Sequence, residues 1–232
     1  MIELCALNCV LSRNVSLCNF TLLLSRDNSI IIYSYYTKGK NMSDLIIGCF
    51  AFVLLYIFDY NKIEAKVQWL NSFFAIGVVV LAYSSWQVIF SPSAGFFVPV
   101  VLSAVFYGLA GVSALFMLYA LFGALPFKKT YIKGDGNQLI DTGVYALCRH
   151  PGVWGFFFMY LFAFAASGKW IVLIGCILWT GMDIIHVWVQ DKYFFPKTLP
   201  GYSEYQKSTP FLIFTRESFT RFIQTIGSRG NL

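Results

Sequence analysis

Charge is what this sequence has least of. Asp, Glu, Lys and Arg make up 12% of its 232 residues, against roughly a quarter in ordinary soluble domains. So few charges cannot cover the surface of a soluble domain. A nucleic-acid-binding or disordered chain is excluded too, despite a formal charge of +6, because 58% of the residues are hydrophobic. Metal-site signatures are also missing. There are two histidines and six cysteines, but no C-x-x-C and no Cys–His grouping at zinc-ligand spacing, so neither a metal centre nor a disulfide framework is supported. Cys148 reads as a packing residue, the alternative being a reactive thiol. Internal repeats of the kind that build many transporters are not visible.

What is present is grease: mean hydropathy is +0.66 and Phe alone occupies 24 positions. About 20 apolar residues cross a bilayer as a helix, and five such runs are expected, over about 44–60, 70–90, 96–125, 151–166 and 170–189. Only Ser167, Gly168 and Lys169 separate the last two, which predicts a tight helical hairpin. The expected fold is therefore an all-α polytopic membrane protein with five transmembrane helices. Loops 61–69 and 126–150 and the tail from 190 carry twelve of the 17 basic residues. Positive loops stay in the cytoplasm, so the C-terminus is expected inside and the N-terminus outside.

Residues 1–41 have mixed polarity, no sustained helical period and no basic start that would mark a cleavable signal peptide. "KGKNM" back-translates to a purine-rich stretch ahead of ATG that resembles a bacterial ribosome-binding site. Translation is expected to begin at Met42, with 1–41 an extension outside the folded unit, 42–232 the membrane domain, and a bacterial cytoplasmic membrane the location. The other reading is an N-terminal segment of unknown role. Past the fifth run, three prolines between 196 and 210 break the chain into pieces unsuited to one regular helix. Phe219, Phe222, Ile223 and Ile226 then recur at helical spacing among Arg216, Arg221 and Arg229, which predicts a short amphipathic helix on the inner leaflet.

Two polar groupings interrupt the grease. "YALCRHPGVWG", Tyr145–Gly155, sets Arg149 and His150 before Pro151, a favoured residue for a first helical turn. Both side chains should emerge where unpaired backbone N–H groups also point outward. The arginine's planar fork suits a carboxylate, although a snorkelling headgroup anchor has the same appearance. Near the end of the fifth run, Asp183, His186 and Gln190 share one helical face and Asp191 adjoins it. Ionisable groups in a span mark a site by default; pairing with each other or a neighbouring helix is the other reading. A hairpin of the last two spans should bring Arg149 and His150 up to Gln190 and Asp191, in one polar pocket. The Gly-rich loop with Gly134, Gly136 and Gly143 fits close approach to a ligand or plain flexibility.

The run Gly143-x-Tyr145-x-x-x-Arg149-His150-Pro151-x-x-x-Gly155, followed by a hairpin, an acidic pair position and Tyr202-x-x-Tyr205, resembles the isoprenylcysteine carboxyl methyltransferase-like and phospholipid methyltransferase group of membrane enzymes. The resemblance covers roughly 139–214. It implies S-adenosyl-L-methionine as cofactor and methyl transfer to a lipophilic, membrane-embedded acceptor, with no nucleic acid and no metal. By position it implies that Tyr145, Arg149, His150, Gly155, Gln190, Asp191, Tyr202 and Tyr205 line the cofactor pocket, Arg149 and His150 being the catalytic pair. His150 is expected to hydrogen-bond the cofactor rather than act as a base. The sequence departs from the family pattern in Gln190-Asp191, where the family has Glu-Glu, and in lacking a second proline near Phe214. The competing enzyme class is an NADPH-dependent reductase of the sterol-reductase kind, which shares Arg-His-Pro but continues to an acid where Phe156 stands. A non-catalytic membrane protein would account for the spans but not for the paired polar clusters.

Overall fold

The computed structural model describes residues 20–21, 34–35, 40–123 and 139–229. Expectations for 1–41 and for the loop carrying Gly134 and Gly136 therefore fall almost wholly outside the described residues. A two-residue antiparallel ladder pairs Phe20–Thr21 (β1) with Ser34–Tyr35 (β2). Among the described residues, every regular element from residue 40 onward is helical.

Five long helices make the body: α1 (Lys40–Tyr60), α2 (Ser72–Phe90), α3 (Val100–Leu118), α5 (Pro151–Ser167) and α6 (Trp170–Val189), with the short α4 (Val144–Leu147) leading into α5. Three small helices complete the tail: α7 (Phe195–Thr198), α8 (Tyr202–Ser208) and α9 (Arg216–Arg229). Four segments are long and apolar enough to cross a membrane: Met42–Ala65, Gln68–Phe90, Val100–Gly123 and Trp170–Thr198. The expected fifth, Pro151–Ser167, is equally apolar but is 17 residues long, at the short end of the spanning range. The third run is shorter than its hydrophobicity suggests. Pro99 stands extended as the N-cap of α3 and delays the helix to Val100.

The bundle is apolar on both its inside and its outside. Among its filled positions are Phe52, Tyr160, Val172 and Trp179, all at most 1% exposed. Outward, Val79, Val100, Val101, Leu115 and Ile177 are each at least two-thirds exposed. Only 11% of the apolar window in Val100–Gly123 is buried within the protein. A soluble protein does not display that much contiguous apolar surface, whereas lipid tails cover it without penalty. This is an integral membrane protein.

Close helix contacts are set by two glycines. A Cβ at Gly48 would lie 2.2 Å from the Trp179 ring, whose Nε1–H donates to the Leu45 carbonyl at 3.2 Å. A Cβ at Gly155 would stand 2.8 Å from the Met117 backbone nitrogen, so α3 and α5 approach there to backbone distance. The α5–α6 turn is as tight as the sequence predicts. Gly168 takes a left-handed conformation (φ 66°) and its N–H caps α5 on Phe164 O at 2.8 Å.

Candidate functional site

Pro151 opens α5 and so sets Arg149 and His150 on the rim of the bundle end where α6 also finishes. The two motifs do meet there. Arg149 forms a fork-on-fork ion pair with Asp191, Nε to Oδ1 at 2.7 Å and Nη2 to Oδ2 at 2.8 Å. Both side chains are nine-tenths buried. Such bidentate pairs are the strong, directional kind. Nη1 of Arg149 donates to the carbonyls of Gln206 (3.1 Å) and Thr209 (2.5 Å), and the Arg149 backbone N–H donates to Pro210 O at 3.0 Å.

The remaining capacity of Asp191 is taken by its other neighbours. Tyr202 donates its hydroxyl to Oδ1 at 2.5 Å. Gln206 Nε2 reaches Oδ2 at 3.2 Å and the Asp191 carbonyl at 2.8 Å. His150 Nε2 lies 3.3 Å from Oδ1, and an ionised carboxylate only accepts, so that nitrogen carries the proton. The His150 ring is walled by Phe195 (6.0 Å, stacked) and Phe211 (5.1 Å, edge-on). Tyr205 donates to the Tyr145 carbonyl at 2.7 Å, and Tyr145 to the Ala120 carbonyl at 2.9 Å. The result is a clasp that ties the 202–212 segment to the start of α5. Trp154 adds to it by donating to Leu212 O at 2.9 Å.

Electrostatics follow from this packing. Burial works against the Arg149 charge, but the Asp191 carboxylate outweighs it and raises the guanidinium pKa further. Burial lowers the His150 pKa, with Asp191 only partly opposing, so the ring is neutral at pH 7. Tyr202 is raised by burial and then by Asp191, and Tyr205 by burial. Cys148 is fully buried and its thiol is pushed up to about 12 by burial. It is a packing residue rather than a nucleophile.

Gln190 does not join the clasp. Neighbouring helix positions point about 100° apart, so Asp191 faces the α5 start while Gln190 faces α1. There Gln190 Nε2 and His186 Nε2 both meet Asp59 Oδ2, each at 2.7 Å, and the Tyr56 ring packs edge-on against His186 at 4.7 Å. The single polar pocket expected from the sequence is thus two adjoining clusters. A widened turn at Gln190–Phe194, closed by the Phe195 N–H on Gln190 O, lies between α6 and α7. Such turns recur at functional sites. Gly155 is also elsewhere: it faces the α3 backbone, not the clasp.

Asp59, Gln206, Phe195 and Phe211 were not anticipated from the sequence. Asp59 had a signal, being the one acid in the apolar run 45–60. Gln206 and the two phenylalanines had none, since a polar or aromatic residue in a tail is ordinary. Gly143 adopts φ 62°, which an L side chain takes up poorly, and its N–H donates to Thr225 Oγ1 at 3.1 Å, fastening α9 beside α4. No family model, curated protein or solved structure matches this chain.

Proposed function

We propose that the chain is a membrane-embedded enzyme that transfers a methyl group from S-adenosylmethionine to a lipophilic acceptor. The observation that carries this reading is convergence. Tyr145, Arg149, His150, Asp191, Tyr202 and Tyr205, drawn from three stretches of sequence, meet at one end of the bundle. The proposal includes five spans with the N-terminus outside and the C-terminus in the cytoplasm. Because the clasp joins residue 149 to residue 191, α5 and α6 reach the same depth. At 1.5 Å per residue, α5 measures about 25 Å, enough for a thin bilayer core.

When bound, the cofactor supplies an electrophilic methyl group on a sulfonium. Its carboxylate needs a cation and its ribose needs acceptors. Arg149 and Asp191 satisfy each other instead, with the carboxylate holding five hydrogen bonds. As arranged here, these two residues do not fit the cofactor. What they do in this arrangement is hold the 202–212 segment and the neutral His150 in place. The reading therefore requires the Arg149–Asp191 pair to open on cofactor entry. An apolar acceptor would approach sideways from the bilayer.

The deciding measurement is calorimetric titration of detergent-purified protein with S-adenosylhomocysteine and, separately, with NADPH. Binding of the first alone, lost in Arg149→Ala and in Asp191→Ala, is the expected result. Binding of NADPH alone would give the reductase reading. Against that reading, the place of the reductase acid is held by Phe156, which is 6% exposed and packs edge-on against Phe52 and Tyr160 in the core. Binding of neither would leave a non-catalytic membrane protein.

A further inference from the structure

At the bundle end away from the clasp, the α2–α3 connection and the α5–α6 turn enclose an open cleft of about 370 Å3. Its rim is pinned by backbone pairing. The Phe96 N–H donates to Gly168 O at 3.0 Å and the Trp170 N–H to Ala94 O at 3.2 Å. A Cβ on Gly95 or Gly168 would come within 2.4 or 2.2 Å of a carbonyl oxygen opposite, so the cleft is shaped by two glycines in contact and needs no rearrangement to exist.

Among the described residues no acidic side chain lines the cleft, and Lys169 is the one charged group in its wall. The Lys169 ammonium donates to Ile89 O at 2.7 Å and Ser91 O at 3.0 Å. An ammonium has three donors, which leaves one N–H. Ser93 Oγ is buried in the same wall without a hydrogen-bond partner among the described residues. The first turns of α3 and α6 abut the cleft, through Ser103 and Lys169. α2 and α5 end beside the same cleft, so helix-dipole ends of both signs meet there and Lys169 sets the sign of its charge. Phe96 and Phe97 supply an apolar wall, and the neighbouring Val100 and Val101 are about four-fifths exposed toward the bilayer.

We propose that this cleft binds the phosphate group of an anionic amphiphile, with Lys169, Ser93 and Ser103 as its donors and Phe96 and Phe97 against its apolar part. Among the lining residues the one formal charge is the positive Lys169, with an N–H to spare, and this favours a negative ligand. The cleft stands apart from the proposed methyl transfer, whose residues lie at the other end of the bundle. Burial lowers the Lys169 pKa; a bound anion offsets that cost.

The test offers full-length protein in neutral detergent equal amounts of phosphatidylglycerol and phosphatidylcholine, and counts retained lipid by native mass spectrometry. Inorganic phosphate is added in a parallel series as competitor. Retention of phosphatidylglycerol over phosphatidylcholine is expected, falling about tenfold in Lys169→Gln and in Ser103→Asp, as loss of one charge-assisted contact implies. Lys169→Gln keeps a donor for the two carbonyls. Ser103→Asp puts an acid in the first turn of α3, which favours the helix while repelling an anion. An unchanged unfolding temperature in Ser103→Asp therefore separates lost binding from lost fold. Displacement of the lipid by phosphate, with the same dependence on Lys169, supports the site and identifies a soluble oxyanion as its ligand. Equal retention of both lipids, or retention indifferent to both substitutions, overturns the proposal.

Discussion

Asp191 accepts hydrogen bonds from Arg149, His150, Tyr202 and Gln206 at once, although a carboxylate has only about four good acceptor positions. Nearly all of the clasp runs through this one side chain. Removing its charge leaves the buried Arg149 unpaired, and breaking a buried pair from one side costs about 3–5 kcal/mol. Asp191→Asn is expected to lower the unfolding temperature of the detergent-solubilised protein sharply, and Arg149→Met paired with Asp191→Leu to recover part of the loss. His150 gives a second expectation. Its folded pKa lies below the free value of 6.5 because of burial, so the unfolded chain takes up the proton first as pH falls. Stability held at neutral pH is then lost below about pH 6.5. His150→Gln should flatten the fall in unfolding temperature between pH 7 and pH 5, relative to the wild type. An unchanged slope would remove His150 from that account.

Among the elements, α5 is the one whose position decides the site, because Pro151 starts it and Gly155 lets it touch α3. With Met117 backbone 2.8 Å from a hypothetical Cβ, Gly155→Ala must push the helices apart. Overpacking of this kind costs about 1–3 kcal/mol. The expected result is a lower unfolding temperature with ligand affinity per folded molecule unchanged. The resemblance instead assigns Gly155 to the cofactor pocket, and a selective loss of S-adenosylhomocysteine affinity at unchanged stability would support that assignment. α9 is the other informative element. Phe219 and Ile223 are each more than half exposed on it, in keeping with the amphipathic surface helix that the i, i+3, i+4 spacing predicts. Its fastening by Thr225 to Gly143 has no counterpart in any periodicity.

For the whole molecule, the open question with a simple answer is sidedness. Five spans under the positive-inside rule put residue 92 outside and the C-terminus inside. A reporter that is active only in the cytoplasm is expected to be silent when fused after residue 92 and active after residue 232. If α5 dips in without crossing, the C-terminal fusion reads outside, and the five-span topology is wrong.

Composition and hydrophobic run length alone determined that the chain belongs in a membrane, where its long helices lie and how the α5–α6 turn is made, because these depend on local propensity and on transfer from water to lipid. Arg149, His150 and Asp191 could be singled out in the sequence for the same reason: polar groups in grease are costly and therefore conspicuous. Their mutual pairing could not be read there. Whether Arg149 meets a ligand or Asp191, whether Gln190 turns toward α5 or toward Asp59, and whether Gly155 faces a pocket or a helix depend on helix rotation and depth. Contacts more than a hundred residues apart in sequence set those, as in the Gln190–Asp59 bond at a separation of 131. Only the packed bundle decided them.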